Sequence, residues 1–305
     1  MRKKIIATGI SGLVGSRITE ILGDKFQFIS FSLDSGVDIT DFNLLKLKLA
    51  RFSDAKTVLH LAAFTDVTAA FKQNGDKNGS CYKVNVVGSR NIAQLCRNYK
   101  KYLIHISTDF VFGDKNPPAG GYIETDEPKP LKDEWYGKTK YLAEQEVEKS
   151  GCDFTILRIA FPYKAKPALK KLEPEVKLDL PRRIKEKLEK GMKLNMFTDQ
   201  VITPTFIDDI AKVVGKCISK RPQGIFHCVG SENLSPYNLA CKIADTFDLN
   251  KSLIKKAKLE DFLKQNPGSR PRQKNLSLSN DKVQKELGIK MLTVDEALEI
   301  IKTQL

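Results

Sequence analysis

The sequence is poor in the residues that build metal sites, disulfide frameworks and membrane spans. It has 305 residues with only 3 His and 6 Cys. Because the cysteines form no Cys-x-x-Cys pair, we expect no metal site. Scattered thiols are typical of the reducing cytosol, which predicts a cytoplasmic protein. No apolar run approaches the roughly 20 residues of a membrane helix, and the basic N-terminus leads directly into a predicted strand, so neither a membrane span nor a signal peptide is expected.

Basic residues exceed acidic ones, with 51 Lys and Arg against 37 Asp and Glu and a formal net charge of +14. The lysines are spread along the whole chain, as on a solvated surface, and no nucleic-acid module is visible. We therefore expect no nucleic-acid partner, although a few of these charges would suit a phosphorylated small molecule. The chain is 41% hydrophobic, and its length allows one or two domains.

Short apolar runs alternate with helical patterns through the first half of the chain. Such an alternation predicts an α/β fold in which a parallel sheet is covered by helices on both faces. The predicted strands span 4–7, 27–31, 57–61, 102–106 and 155–159, and the predicted helices span about 13–23, 41–50, 80–98 and 135–150.

The pattern loosens after about residue 160. A long Lys/Glu-rich insertion over 164–183 leads into a predicted helix near 182–190, and a strand over 224–229 and helices over 236–247 and 294–303 follow. We predict an NAD(P)-binding Rossmann domain at 1–160, with 201–230 returning to the sheet. Residues 161–200 and 231–305 would form a smaller C-terminal substrate-binding lobe over the carboxyl ends of the strands.

A glycine-rich turn follows the first predicted strand and opens a helix. It reads Gly9-Ile10-Ser11-Gly12-Leu13-Val14-Gly15. Glycines in this context allow a tight turn and close approach of a pyrophosphate, which the helix N-terminus attracts. The spacing is Gly-x-x-Gly-x-x-Gly and not Gly-x-Gly-x-x-Gly, so an ordinary strand-to-helix turn is the alternative. The pattern favours a Rossmann-type doubly wound sheet whose cofactor contacts include Gly9, Ser11, Gly12, Leu13, Val14 and Gly15.

Asp34 lies at the end of the second predicted strand, about 20 residues after the glycines, where a carboxylate can bind the adenosine ribose. It would favour NAD by repelling a 2′-phosphate, but Ser30 and Ser32 would tolerate one, so the choice between NAD and NADP stays open. Asp38 and Ile39 are candidates for holding the adenine. The alternatives are that Asp34 merely caps a turn and that Thr40 or Asp41 serves as the N-cap of the following helix.

Tyr136 and Lys140 are four residues apart and therefore share one face of a predicted helix. A neighbouring ammonium is expected to lower the pKa of the phenol, so that the pair could move a proton. Thr108 ends a predicted strand, where it could offer a hydroxyl to a carbonyl. Chance accounts for many Tyr-x-x-x-Lys patterns, and a Thr at a strand end is often only a helix cap.

Taken together, these motifs resemble those of an extended short-chain dehydrogenase/reductase. The chain is most similar to the dTDP-4-dehydrorhamnose reductase family of sugar-nucleotide enzymes. Besides the motifs above, the resemblance includes the segments 37–41, 61–67, 84–88, 105–112, 157–158, 199–200 and 204–205, and Arg272 before Asn275.

The resemblance implies NAD(P)H as the cofactor and a nucleotide-linked 4-keto-6-deoxy sugar as the substrate. Tyr136 would donate a proton to the sugar oxygen, Lys140 would bind the nicotinamide ribose, and Thr108 would polarise the carbonyl. Further residues are implied by the same resemblance. Those for the cofactor are Ala62, Ala63, Phe64, Thr65 and Asn85, and those for the substrate are Asp109, Phe110, Phe161 and Arg272.

Several departures from the family pattern lie on the substrate side. The approach to Tyr136 over 130–135 is long, Phe161 stands where the family typically has Trp, and Ile202 replaces a common Gly. A nucleotide-sugar epimerase or dehydratase is one alternative, although Phe110 stands where a dehydratase would carry Glu. Another is a non-catalytic cofactor-binding subunit similar to the methionine adenosyltransferase beta subunit. The superfamily resemblance also allows a homodimer.

Overall fold

A six-stranded, fully parallel sheet forms the centre of the protein, which we describe from a computed structural model. The structure describes residues 2–113, 118–164 and 178–304. The strands are β1 (Lys3–Thr8), β2 (Phe26–Phe31), β3 (Thr57–His60), β4 (Tyr102–Thr108), β5 (Phe154–Ile159), β6 (Pro162–Tyr163), β7 (Leu194–Phe197), β8 (Thr205–Phe206), β9 (Gly224–His227) and β10 (Ile254–Ala257). The central sheet has the order β2-β1-β3-β4-β5-β9, and the pairs β10-β7 and β6-β8 lie outside it.

Twelve α-helices are present among the described residues. They are α1 (Leu13–Leu22), α2 (Phe42–Ala50), α3 (Val67–Phe71), α4 (Ser80–Tyr82), α5 (Ser89–Asn98), α6 (Trp135–Lys149), α7 (Leu180–Glu189), α8 (Ile207–Lys220), α9 (Pro236–Thr246), α10 (Leu259–Gln265), α11 (Asp281–Leu287) and α12 (Val294–Thr303). A π-helical turn over Lys83–Gly88 joins α4 to α5. Within the described residues, no helix is both long and apolar enough to span a membrane.

Both faces of the central sheet are buried by helices. Successive side chains of a strand point to opposite sides, so each strand contributes to both cores. In β1, Ile5 and Ala7 pack into a core shared with α1 and α8, whereas Ile6 packs into a second core shared with α2 and α5. Every residue of β3 and of β4 is buried. The prediction of a doubly wound α/β fold is confirmed, with the helices on both faces of a parallel sheet.

A third apolar core lies outside the sheet. Its buried residues come mainly from α7, β7, α9, β10 and α12, with Leu239 and Ile243 fully buried at its centre. Two parts of the chain cross the predicted boundaries. Phe206 packs into this third core, and α11 contributes Val283 and Leu287 to the core on the α1 and α8 side of the sheet. The division into a cofactor domain and a substrate lobe stays a prediction.

The predicted elements of the first half match the observed ones to within two residues at each end. The helix predicted near 182–190 corresponds to α7. The basic insertion predicted over 164–183 falls largely on residues 165–177, which lie outside the described part of the chain.

Candidate active site

A cavity of about 760 Å³ opens at the carboxyl ends of β1 to β5. The chain order reverses between β1 and β3, which is where open α/β sheets bind their ligands. A volume of this size lies within the usual range of cofactor and ligand pockets. Nearly all of the predicted site residues line it, namely Gly9, Ser11, Gly12, Leu13, Val14, Gly15, Asp34, Asp38, Ile39, Ala62, Ala63, Phe64, Thr65, Thr108, Asp109, Phe110, Tyr136, Lys140 and Phe161.

The glycine turn brings the start of α1 against the end of β3. Gly9 has a φ of +65°, and a Cβ at this position would lie 2.5 Å from the nitrogen of Ala62. A Cβ at Gly15 would lie 2.6 Å from Cα of Ile10. No side chain of the described residues caps the start of α1, so its first N–H groups remain available at the cavity wall. The turn thus fits the pyrophosphate of a dinucleotide, which is bound by backbone N–H groups and by the helix dipole.

The predicted adenosine end of the cavity carries two exposed carboxylates. Asp34 lies in the 3₁₀ turn that follows β2 and lines the cavity. Asp38 accepts hydrogen bonds from the backbone and side chain of Thr40, each at 2.8 Å. The helix that follows is capped by Asp41, which accepts from the nitrogen of Leu44 at 3.0 Å. The capping alternative therefore holds for Asp41, whereas Asp34 faces the cavity.

Tyr136 and Lys140 project from the first two turns of α6 into the same cavity. The Lys140 ammonium donates a hydrogen bond of 2.7 Å to the carbonyl oxygen of Ile106, which ties α6 to β4. One turn further along, Glu144 forms a buried ion pair with Arg158 of β5 at 2.8 Å. These two contacts hold α6 across the carboxyl ends of β4 and β5, and they fix the position of Tyr136.

The expected effect of Lys140 on Tyr136 is wrong. Burial of its hydroxyl raises the pKa of Tyr136 above the usual value, and the carboxyls of Asp109 and Glu134 act in the same direction. The neighbouring hydroxyl of Thr108 acts against this increase. Burial also lowers the pKa of Lys140 to about 8. The phenol is therefore held in its protonated form.

Two buried carboxyls lie close to Tyr136. Asp109 is 1% exposed, accepts a hydrogen bond of 2.9 Å from the Thr108 hydroxyl through Oδ1, and has no partner for Oδ2 among the described residues. Glu134 is 2% exposed and caps α6 by accepting from the nitrogen of Gly137 at 2.6 Å. Burial raises the pKa of each carboxyl to about 7.

The sequence prediction did not include Glu134, or Ser107, whose buried hydroxyl also lines the cavity without a partner among the described residues. The only signal for Glu134 was its position two residues before Tyr136. That position does not reveal burial, because burial depends on distant segments of the chain.

Aromatic side chains form the wall beside Tyr136. The ring of Phe110 meets the ring of Tyr136 edge-on with 5.6 Å between centroids, and the ring of Phe161 lies 6.5 Å from Phe110. Phe161 has a φ of +40°, which is a strained conformation for an aromatic residue. Phe110 and Phe161 both line the cavity, and a role in substrate binding stays a prediction.

Two predicted site residues lie outside the cavity wall. Asn85, in the π-helical turn, accepts from the nitrogen of Phe64 at 2.7 Å and donates to Thr139 of α6 at 2.9 Å, so it supports the cavity from behind. Arg272 is partly buried, with its guanidinium 5.1 Å from the ring centre of Phe262. Its predicted contact with the substrate stays a prediction.

The chain is similar to one protein family over nearly its whole length and to several known proteins. A family model described as the RmlD substrate binding domain matches residues 3–305. The probable low-salt glycan biosynthesis reductase Agl14 of Haloferax volcanii is 28% identical over 305 residues, which cover 97% of this chain and 96% of that protein. The methionine adenosyltransferase 2 subunit beta of Pongo abelii is 33% identical over 267 residues, which cover 83% and 75%. The crystal structure of a dTDP-4-dehydrorhamnose reductase from Clostridium acetobutylicum is 26% identical, with a TM-score of 0.83 over 99% of this chain and 100% of that one.

Proposed function

Because this chain belongs to the family of the RmlD substrate binding domain, we propose that it is an NAD(P)H-dependent reductase of a nucleotide-linked 4-keto-6-deoxy sugar. The observation that carries the proposal is that Thr108, Tyr136 and Lys140 line the same cavity as the glycine turn. A proton donor and a dinucleotide site in one cavity are what the reduction of a carbonyl requires.

NAD(P)H would lie along the glycine turn and Ala62–Thr65, and when bound it supplies the hydride that reduces the carbonyl carbon. Tyr136 donates its proton to the carbonyl oxygen, which becomes the new hydroxyl. The raised pKa of Tyr136 keeps that proton in place until the oxygen gains negative charge. Lys140 lies one turn further along α6 and lines the same cavity, where it would bind the nicotinamide ribose. A proton from solvent then restores the phenol.

Thr108 and Asp109 prepare the carbonyl for reduction. The Thr108 hydroxyl donates to Asp109 at 2.9 Å and lies beside Tyr136. In the substrate complex this hydroxyl turns to the carbonyl oxygen and polarises it. We assign to Oδ2 of Asp109, which has no hydrogen-bond partner among the described residues, the role of accepting from a sugar hydroxyl.

The aromatic wall suits the apolar part of a 6-deoxy sugar. A methyl group packs favourably against the rings of Phe110 and Phe161, whereas a hydroxymethyl group would lose hydrogen bonds to water there. Arg272 is proposed to bind the diphosphate of the nucleotide, since a guanidinium pairs with two phosphate oxygens at once.

The direct test is the oxidation of NADH and of NADPH in the presence of dTDP-4-keto-6-deoxy sugars, followed at the nicotinamide absorbance. We expect one mole of cofactor to be oxidised for each mole of sugar reduced. If the sugar is converted with no net oxidation of the cofactor, the protein is an epimerase or dehydratase. If the cofactor binds and no sugar is converted, the reductase proposal fails.

A regulatory role is the second candidate, and the similarity to the methionine adenosyltransferase beta subunit favours it. The Thr108, Tyr136 and Lys140 arrangement does not distinguish the two roles, because a subunit that only binds the cofactor can retain it. This candidate predicts that the protein alters the activity of a methionine adenosyltransferase catalytic subunit and that Tyr136→Phe leaves this effect intact. A reductase predicts no such effect.

A further inference from the structure

A chain of hydrogen bonds lies directly behind the glycine turn, and neither the motifs nor the proposed chemistry uses it. It begins at Ser89 in α5, whose Oγ lies 3.1 Å from Nε2 of His60. Nδ1 of His60 lies 2.6 Å from Oγ1 of Thr8, which in turn accepts a hydrogen bond of 3.1 Å from the backbone nitrogen of Ala62. Ser89, His60 and Thr8 are all at most 1% exposed.

We assign the protons of this chain with Nδ1 of His60 as an acceptor and Nε2 as a donor. Because the Thr8 oxygen accepts from Ala62, its own proton is free to be donated to Nδ1 of His60. Nε2 of a neutral imidazole then carries the ring proton and donates it to Ser89. Burial, with a contribution from the charge of Lys140, lowers the pKa of His60 to about 3, so the ring is neutral near pH 7.

The hydrogen-bond chain ends at the backbone nitrogen of Ala62, where the segment after β3 meets the glycine turn. The nitrogen of Ala62 is the atom that a Cβ at Gly9 would approach to 2.5 Å. The backbone of Thr8 also holds this segment, since its carbonyl oxygen accepts from the nitrogen of Leu61 at 3.1 Å. Two hydrogen bonds to Thr8 of β1 therefore hold the segment after β3 against the glycine turn. The bond from Ala62 depends on the orientation of the Thr8 hydroxyl.

We infer that His60 is a positioning residue for NAD(P) binding, because it orients the Thr8 hydroxyl that holds Ala62 against the glycine turn. His60 does not line the cavity itself and acts through Thr8. The inference rests on the cofactor-binding part of the proposed function and is independent of the sugar. It also gives a role to the imidazole at the last position of β3.

The neighbouring strand supplies a matched control. His105 of β4 pairs with His60 of β3 in the parallel register, and the ring centroids are 5.2 Å apart. His105 is equally buried, but neither of its ring nitrogens has a hydrogen-bond partner among the described residues. Replacing either ring by leucine therefore disturbs the same layer of the core, and only one of the two changes breaks the chain to Ala62.

The test measures the dissociation constants of NADH and of NADPH by fluorescence titration for three variants. We expect His60→Leu and Thr8→Val each to weaken cofactor binding about tenfold, the factor that corresponds to one buried hydrogen bond. His105→Leu should leave both constants within about twofold of the unchanged protein. Melting temperature is followed for each variant, and hydrogen exchange at the Ala62 amide should become faster in His60→Leu and Thr8→Val only.

Two polar replacements separate positioning from a general packing role. An Asn side chain places its amide oxygen near the position of Nδ1, whereas a Gln reaches the position of Nε2. His60→Asn should therefore keep most of the cofactor affinity, and His60→Gln should lose it about as His60→Leu does. Equal affinity in His60→Asn and His60→Gln, or an unchanged affinity in Thr8→Val, would overturn the inference. Failure of the reductase proposal would appear separately, as cofactor binding without sugar reduction.

Discussion

Tyr136 shows how far burial changes the chemistry that sequence spacing alone predicts. The four-residue spacing correctly places Lys140 on the same face of α6, but the ammonium is bonded to Ile106 of β4. Burial raises the pKa of Tyr136, and the carboxyls of Asp109 and Glu134 act in the same direction. Spacing is a local property of one helix, whereas burial depends on every segment that packs around that helix.

Replacement of the phenol tests the role of Tyr136. We expect Tyr136→Phe to lower kcat by a factor of about 10²–10⁴, the usual contribution of a positioned acid. The dissociation constant of NAD(P)H should change less than about threefold, because the phenyl ring keeps its contact with Phe110. Steady-state kinetics and a fluorescence titration provide the two values. Turnover equal to that of the unchanged protein would remove Tyr136 from the acid role.

The Glu134 carboxyl makes stability depend on pH. Burial raises its pKa from 4.5 to about 7. Between these two values the folded protein binds more protons than the unfolded chain, so this contribution to stability is fully present below pH 4.5 and is lost as the pH rises to about 7. Glu134→Gln removes the titration, and its amide oxygen can still accept from the nitrogen of Gly137.

We therefore expect the melting temperature of Glu134→Gln, relative to the unchanged protein, to be a few degrees higher at pH 8 than at pH 5. The corresponding difference in unfolding free energy is about 1–3 kcal/mol. Glu127→Gln is the control, because Glu127 is exposed on a loop and its removal should give the same difference at both pH values. A difference for Glu134→Gln that does not vary with pH would contradict the assignment.

At the scale of elements, the close packing of α6 on the backbone after β4 depends on Gly137. A Cβ on Gly137 would lie 2.2 Å from the carbonyl oxygen of Phe110 and 2.6 Å from Oε2 of Glu134. The absence of a side chain thus lets the first turn of α6 rest on the backbone that follows β4. This contact sets the distance between Tyr136 and Thr108. Any residue with a Cβ at position 137 would force the helix to move.

Gly137→Ala should lower the unfolding free energy by about 1–3 kcal/mol and reduce kcat at least tenfold, because the helix must shift away from Phe110. The matched control is Gly215→Ala in α8, where a Cβ would meet only Leu22 at an ordinary 3.4 Å. That change should leave activity unaltered and raise stability slightly, as alanine usually does within a helix. Thermal melts and kinetic assays of both variants make the comparison.

The elements that the sequence predicts best are those with a strong local signal. The apolar runs of β1, β3 and β4 are continuous because both of their faces are covered, and the glycine turn marks the start of α1. Helix α8 was not predicted, although its apolar residues recur on one face. The local sequence of α11 does not indicate that this helix packs beside the sheet. That packing occurs because the chain returns to the sheet after it has contributed to the third core.

The same distinction holds for the candidate site. Residues within recognisable motifs were found from the sequence, and nearly all of them line the cavity. The buried states of Asp109 and Glu134, and the hydrogen-bond chain through His60, arise where several distant segments meet. A sequence pattern contains no information about such contacts unless one of the segments is already a known motif.

At the scale of the whole molecule, the two parts of the structure are interleaved along the chain. The third core lies between segments that belong to the sheet, and β8 leads directly into α8, which packs on α1. The chain therefore passes from one core to the other several times. Because neither part is a continuous stretch of sequence, we expect the two parts to unfold together.

We expect calorimetry to show a single unfolding transition, which cofactor at 100 times its dissociation constant stabilises by about 2.7 kcal/mol. For a chain of this length that amounts to a shift of several degrees. Two transitions, of which the cofactor shifts only one, would show that the third core folds independently. A light-scattering measurement on the same sample would test the homodimer, which stays a prediction.

The backbone at Phe161 has an evolutionary consequence. An aromatic residue held at a φ of +40° destabilises the fold by about 1–3 kcal/mol relative to an unstrained residue. Glycine accepts this conformation freely, so a population selected for stability alone would drift towards glycine at position 161. A lineage that still needs the ring in its cavity would resist that drift. Laboratory evolution under heat, with and without selection for catalysis, would therefore diverge first at this position.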